Sequence, residues 1–165
     1  MSSRTLLNAG DLSLAVSRIT LQVLEKNHDR ENLAIVGIHT CGVFLAQRIR
    51  NQIQEQTGHL LPYGSLDINL YRDDWSLIAQ NPVVKTTDIG FTVEGRDVIL
   101  VDDVLFTGRT IRAAMDALMD YGRPRSIQLA VLVDRGGREL PIQADYVGVR
   151  TTVRSDERIQ VVLEE

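Results

Sequence analysis

The stretch Val98-Ile99-Leu100-Val101-Asp102-Asp103-Val104-Leu105-Phe106-Thr107-Gly108-Arg109-Thr110 decides how this chain folds. Its first four residues are β-branched or aliphatic, the run expected of a strand buried on both faces. Asp102 and Asp103 follow as the strand's end, Thr107-Gly108-Arg109-Thr110 makes a short loop, and a helical pattern runs on to near Tyr121. Gly122 at C′ and Pro124 behind it stop that helix. A strand, a tight turn and a helix N-terminus make an anion site, because unpaired N–H groups and the positive end of the helix dipole converge on one point. Gly108 lets the backbone approach a ligand closely, and the Thr107 and Thr110 hydroxyls can donate hydrogen bonds.

The two carboxylates narrow the ligand. They would repel a bare phosphate but suit vicinal hydroxyls or a bound cation. A phosphate at one end and a polyol a few ångströms away describes a ribose 5-phosphate. A Walker loop is excluded, since it needs Gly where Asp103 stands and Lys where Arg109 stands. No G-x-G-x-x-G occurs, so the dinucleotide fingerprint is absent as well.

Outward from this stretch, strands alternate with helices. Asp11 is placed to cap a helix at 12–27 with apolar positions 12, 15, 16, 19 and 23. Residues 33–38 read as a buried strand. Gly42 opens a second helix that buries Leu45, Ala46, Ile49 and Ile53 and stops at Gly58. Residues 65–71 alternate as a half-buried strand. Residues 72–90 keep no period, which predicts a functional loop, mobile without ligand. Residues 127–133 form another continuous apolar strand, and shorter strands are expected near 145–149 and 159–163. The fold class is therefore α/β, a central, mainly parallel sheet with flanking helices. Ligands sit at the carboxyl ends of such strands, which puts the loops at 39–42, 102–110 and 134–138 on one rim.

The 165 residues, 44% hydrophobic and 24% charged, suit one globular domain spanning 1–165. No apolar run reaches membrane-span length, no signal-peptide core is present, and the one cysteine cannot form an intrachain disulfide, so a cytoplasmic protein with no membrane partner is expected. Net charge is −4, which by itself argues against a nucleic-acid protein. Residues 61–120 hold five Lys/Arg against ten Asp/Glu, whereas 121–154 hold six against three. Scattered surface charge gives similar counts, so they assign no interface alone. His28, His59 and Trp75 carry no separate signal, and zinc spacing is absent.

An apolar strand, two acidic residues and then Thr-Gly-x-Thr resemble the phosphoribosyl-pyrophosphate (PRPP) signature of type I phosphoribosyltransferases. Leu70-Tyr71-Arg72-Asp73-Asp74, Met115-Asp116-Ala117-Leu118, Gly122-Arg123-Pro124, the run 128–135 and Arg138-Glu139-Leu140-Pro141 are similar to one branch. That branch is the PyrR family, pyrimidine operon regulators that are also uracil phosphoribosyltransferases. The resemblance covers nearly the whole chain and implies the type I fold with a small hood. It implies transfer of ribose 5-phosphate from PRPP to uracil, giving UMP and pyrophosphate, with Mg²⁺ carried by PRPP rather than held in a cage of protein side chains. Orotate or a purine base, with no RNA role, is the alternative acceptor reading.

On this resemblance, Asp102 and Asp103 hold the ribose hydroxyls and favour the cationic sugar. Val104, Leu105 and Phe106 belong to the PRPP- and nucleotide-binding stretch, and Thr107, Gly108, Arg109 and Thr110 cradle the 5-phosphate, chiefly through backbone N–H groups, with Arg109 free to point outward. Thr40, Cys41 and Gly42 form the pyrophosphate loop. Relatives usually carry Lys-Thr-Arg-Gly there, whereas this chain has His39-Thr40-Cys41-Gly42, so two positive side chains are replaced and backbone amides remain. A Cys41–His39 nucleophile pair lacks a third orienting residue, and a packed thiol is expected. Arg72 and Lys85 belong to the loop that closes over PRPP. Asp134, Arg135 and Gly136 form the base-recognition hood, with Leu105 or Phe106 supplying an apolar stack.

The resemblance further implies that UMP or UTP promotes binding to pyr leader mRNA, favouring a terminator hairpin. Ser17, Arg18, Lys26, Arg138 and Arg150 are its candidate contacts. Gln143, Val149 and Leu21 stand where relatives tend to carry basic residues or histidine, which thins the basic face. A homodimer or homotetramer is implied. The end soon after 159–163 is abrupt for the family.

Overall fold

The computed structural model describes residues 3–68 and 87–163, and the run at 98–101 lies in the middle of its sheet. In chain order the elements are α1 (Ala9–Lys26), a 3-10 turn (Arg30–Asn32), β1 (Leu33–Ile38), α2 (Cys41–Thr57), β2 (Tyr63–Leu66), β3 (Asp88–Ile89), β4 (Asp97–Leu105), α3 (Arg109–Met119), β5 (Ser126–Asp134) and β6 (Tyr146–Arg150). Among the described residues the strands form one sheet in the order β3-β2-β1-β4-β5-β6. All neighbours pair in parallel except β3, which is antiparallel to β2. The mainly parallel α/β architecture expected from the sequence is the one observed.

The unbroken apolar runs follow from burial on both faces. Ile99 and Val101 pack with Val16, Ile19 and Val23 of α1 and with Leu45, Ile49 and Ile53 of α2. Val98 and Leu100 point the other way, onto Ile111, Ala114, Ala117 and Leu118 of α3. Successive strand residues alternate faces, so one continuous run feeds two cores. The positions 111, 114 and 118 are helical spacing, so α3 has a single apolar face.

Several boundaries differ from expectation. α1 starts at Ala9, and its cap is Asn8 rather than Asp11. The Asn8 side chain accepts from the Asp11 N–H at 2.8 Å while the Asp11 carboxylate accepts from the Asn8 N–H at 3.2 Å, a capping box in which Asp11 is the third helical residue. The apolar period only begins at 12, which hid the first turn. β4 does not stop before the acidic pair but runs through Asp102 and Asp103 to Leu105. The strand expected over 65–71 is β2, beginning at Tyr63 and ending at Leu66, with 69–71 outside the described residues. Of the loop predicted at 72–90, Asp88 and Ile89 form β3; residues 72–86, Arg72 and Lys85 included, also lie outside the described residues.

The strand expected at 159–163 is not formed. Ile159, Val161 and Leu163 do turn inward, partly buried against the first core, so the alternation is present without a strand alongside. Gly58 ends α2 at φ 73°, as its position predicted.

One polar cluster lies largely inside, with Asn27 and Tyr146 buried and Gln128 partly so. Asn27 donates to the Val23 carbonyl at 2.8 Å and to Gln128 at 3.0 Å, and Gln128 donates back to Asn27 at 2.8 Å. The Tyr146 hydroxyl bonds Gln128, and burial pushes that phenol up to about 12. Asn27→Leu should therefore cost about 1–3 kcal/mol in thermal denaturation, because it strands the Gln128 amide rather than removing a neutral contact.

Candidate active site

Parallel pairing of β1, β4 and β5 brings Ile38, Leu105 and Asp134 to the same rim. The three loops picked from the sequence meet there. Two glycines set the spacing. A Cβ on Gly42 would lie 2.4 Å from the Val101 carbonyl oxygen and 3.2 Å from the Asp102 Cα. A Cβ on Gly37 would lie 2.6 Å from the Gly42 carbonyl oxygen. The first turn of α2 is thus pressed against β4 directly beside the acidic pair. The His39–Thr40 peptide bond leading into that turn is cis.

Asp102 is buried, at 7% exposure, as a consequence of lying within β4 opposite Val131. Asp103 is partly exposed. The Asp103 N–H donates to the Asp102 carboxylate and the Val104 N–H to the Asp103 carboxylate, both at 2.8 Å. Burial, and then the neighbouring Asp103 charge, hold the Asp102 carboxyl well above its usual range. At the amino end of the same strand the situation is opposite: Arg125 bonds Asp97 and keeps it below the usual range. Among the described residues no cationic side chain pairs with Asp102 or Asp103. A hydroxyl donor or a cation is what would satisfy them. No group of three or more His, Cys, Asp or Glu that could hold a metal occurs among the described residues.

Next to the pair, Gly108 takes φ 93° as the residue before α3 and supplies no side-chain cap. The first-turn amides of α3 therefore face the loop with the dipole behind them. The Thr107 hydroxyl accepts from the Arg109 N–H at 3.2 Å, and the Thr107 carbonyl accepts from the N–H groups of Glu139 and Leu140 at 2.9 and 3.1 Å. The segment between β5 and β6 is thereby drawn over the loop, where the hood was expected. Arg109 points outward and pairs with Glu139 at 2.8 Å. Thr110, the second residue of α3, is exposed.

Of the two residues expected to offer an apolar stack, only one is exposed. Leu105 is 1% exposed and belongs to the core under α3, so its side chain cannot meet a base. Phe106 is 41% exposed. The hood's side chains are committed to the protein itself. Asp134 accepts from Arg138 at 2.7 Å, from Arg150 at 3.2 Å and from the Gly136 N–H at 3.0 Å. Burial alone would raise the Asp134 carboxyl, but these donors outweigh it and hold it below the usual range. Arg135, 7% exposed, donates to the carbonyls of Glu157 and Arg154. Only the backbone of 134–136 is left for reading a ligand.

Cys41 opens α2, and its thiol lies 3.6 Å from the Val161 carbonyl, packed beneath the tail. The inward run at 159–163 gave no signal that it would close over this loop. The RNA candidates gather at β6. Arg18 donates to the Gly148 carbonyl at 2.7 Å, Lys26 pairs with Asp145 at 3.2 Å, and Arg150 lies at the end of the strand. Ser17 precedes Arg18 on α1, partly exposed. Arg138 is turned into the hood, bonding the Ile142 and Phe106 carbonyls.

The chain matches the model of the phosphoribosyl transferase domain over residues 2–164. It is 52% identical to the bifunctional protein PyrR of Syntrophobacter fumaroxidans over 163 residues, covering 99% of this chain and 88% of that protein. It is equally 52% identical to the bifunctional protein PyrR of Deinococcus radiodurans, covering 98% and 88%. Among solved structures it resembles a hypoxanthine phosphoribosyltransferase from Staphylococcus aureus, with a TM-score of 0.69 at 23% identity over 94% of this chain and 80% of the other. A purine phosphoribosyltransferase from Pyrococcus horikoshii gives 0.66 at 20% identity over 96% and 97%. At these identities the two structures speak for the fold.

Proposed function

This chain belongs to the phosphoribosyltransferase family and within it to the PyrR proteins, and on that footing we propose that it joins uracil to the ribose 5-phosphate of PRPP, giving UMP and pyrophosphate, and regulates pyr mRNA by pyrimidine-responsive transcriptional attenuation. The observation that carries the enzymatic half is the acidic pair, one member buried and neither with a cationic partner among the described residues, set against the glycine-capped start of α3. That arrangement suits a sugar beside a phosphate and little else.

Each part of the site has a task in this reading. The amides of 107–110 and the first turn of α3 bind the 5-phosphate. Asp102 and Asp103 accept from the ribose hydroxyls, and their charge stabilises the positive sugar that forms as its bond to pyrophosphate breaks. The 40–42 amides receive the pyrophosphate. Backbone groups of 134–136 read the edge of uracil, and Phe106 offers the stacking surface. The acidic pair also fits a ligand-borne Mg²⁺, which when bound offsets the leaving-group charge. Arg72 and Lys85 are assigned to closure over PRPP on sequence grounds.

The regulatory half rests on family membership and on the cluster at β6. Lys26 and Arg150, with side chains 54% and 70% exposed, remain reachable by RNA phosphates. Contacts from Arg18 and Arg138 require exchange of their bonds to the protein. Ser17 is placed to add a polar contact. A cytoplasmic, single-domain protein that self-associates as a dimer or tetramer completes the reading.

Two experiments test it. A panel of radiolabelled bases with PRPP and Mg²⁺ should convert uracil to UMP and leave orotate and hypoxanthine unreacted; incorporation of a purine instead would overturn the assignment. In a gel-shift titration, UMP should strengthen binding to a pyr leader RNA. Because phosphate contacts are few, added salt should weaken that binding only modestly. Equal binding to a scrambled RNA would reduce the interaction to charge.

A further inference from the structure

Arg135 is an unusual core residue. It carries a charge at 7% exposure, with no carboxylate partner among the described residues. Its guanidinium carbon sits 3.8 Å from the centroid of the Phe106 ring. Its two terminal nitrogens donate to backbone carbonyls, Glu157 at 3.1 Å and Arg154 at 3.2 Å, while its Nε, buried, makes no hydrogen bond. A desolvated cation is costly unless its surroundings are built for it. Here they are a ring face and two carbonyls, and both carbonyls come from one turn.

That turn is itself fastened. The Glu157 carboxylate accepts from the Arg154 N–H at 2.9 Å, and the Glu157 N–H donates to the Arg154 carbonyl at 3.0 Å. The Arg154 amide holds the Glu157 carboxyl below its usual range. At the other end of the chain of contacts, Phe106 is gripped twice more by the hood. Arg138 donates to its carbonyl at 2.9 Å. A Cβ on Gly137 would come within 2.5 Å of the ring edge, so the loop backbone rests on it.

We propose that the Arg154–Glu157 turn braces the base-binding end of the pocket through Arg135, a positioning residue whose guanidinium sets the plane of Phe106. The inference rests on reading this pocket as a site for a base and PRPP. A half-exposed phenyl ring on a loop would otherwise sample several rotamers, and a planar pyrimidine stacking on it would have to freeze them. Arg135 does this in advance, as a planar guanidinium can lie flat on a ring and still donate in two directions. Among the described residues the hydrogen bonds of the turn reach Arg135 and neither the acidic pair nor the phosphate loop, so its effect should be confined to the base.

Steady-state kinetics with uracil and PRPP varied separately test the brace. Arg135→Met should raise the KM for uracil about tenfold, the scale of one lost base–aromatic stack, while the KM for PRPP stays within about twofold and kcat changes little. Arg135→Lys, which keeps the charge but not the plane, should fall between. Glu157→Ala, which loosens the turn without touching Arg135, should give the same pattern at about threefold. A parallel rise in both KM values, or none in either, would overturn the proposal. If Arg135→Met does not fold, Glu157→Ala decides, its side chain being 38% exposed. Should the wild-type protein form no UMP, the pocket reading fails on its own. The brace is then judged by deuterium uptake across 104–110, where faster exchange in Glu157→Ala supports it and unchanged exchange sinks it.

Discussion

Asp102→Asn combined with Asp103→Asn should lower nucleotide formation from PRPP and uracil by about 10³-fold, the scale expected when charge stabilisation is removed from a reacting centre. Unchanged turnover in the double variant would rule out the sugar contacts assigned to the pair. The single variant Asp102→Asn separates activity from stability. The Asp102 carboxyl is held above the unfolded value, near 3.8, by burial and by Asp103. Native protein therefore binds more protons than unfolded chain once the pH passes that value. Stability is lost as pH rises from there to the raised folded value, and the loss persists at neutral pH. Asn keeps the shape and the acceptor for the Asp103 N–H but has no charge to bury. The variant should melt higher than wild type at neutral pH while turning over poorly, and the two should converge in acid. The ligand reverses the sign: hydroxyl donors or a cation favour the carboxylate, so PRPP should bind more tightly as pH rises, with proton release visible by calorimetry in buffers of different ionisation enthalpy.

Gly42→Ala should be strongly damaging for so small a substitution, costing about 3 kcal/mol by overpacking. The reason is space, not backbone conformation. Its added methyl would meet the Val101 carbonyl oxygen at 2.4 Å, and neither that oxygen nor the Asp102 backbone can swing aside as a side chain would. The first turn of α2 must lift off β4, and with it the 40–42 amides assigned to pyrophosphate. A fall in melting temperature should therefore accompany a KM for PRPP raised about tenfold, reflecting lost positioning. Gly58→Ala is the comparison. Gly58 has φ 73° and nothing within 4 Å of the added carbon, so only left-handed strain of about 1–2 kcal/mol is expected, with PRPP kinetics unaffected. Equal effects of the two variants on PRPP would remove the close approach at Gly42 from the account.

The candidate site was legible because its signals are local. An apolar run, two acids and a Thr-Gly loop occur within thirteen consecutive positions, a helical period follows at once, and the turn chemistry of Gly108 needs only its neighbours. The rim arrangement also followed, since parallel strands joined by helices must present their carboxyl ends together. Side-chain roles were less accessible. Leu105 and Phe106 are adjacent and both apolar, and only the pleat of β4 sends the first into the core under α3 and leaves the second 41% exposed. Arg135 reads as a rim cation until the tail is seen folded over it.

What the sequence determined by itself is the alternation of buried strands with amphipathic helices, the parallel order this forces, and the strand end, glycine loop and helix start at 102–110 on which the proposed phosphate and sugar site rests. Tertiary structure alone decided that Asp102 lies inside a strand and is buried. It decided that 159–163 packs inward without becoming a strand, and that Arg154 and Glu157 meet Arg135 across some twenty residues. The physical reason is that hydrophobic period reports which side of a segment is apolar, whereas pairing, burial of charge and braces depend on which distant backbone is laid alongside.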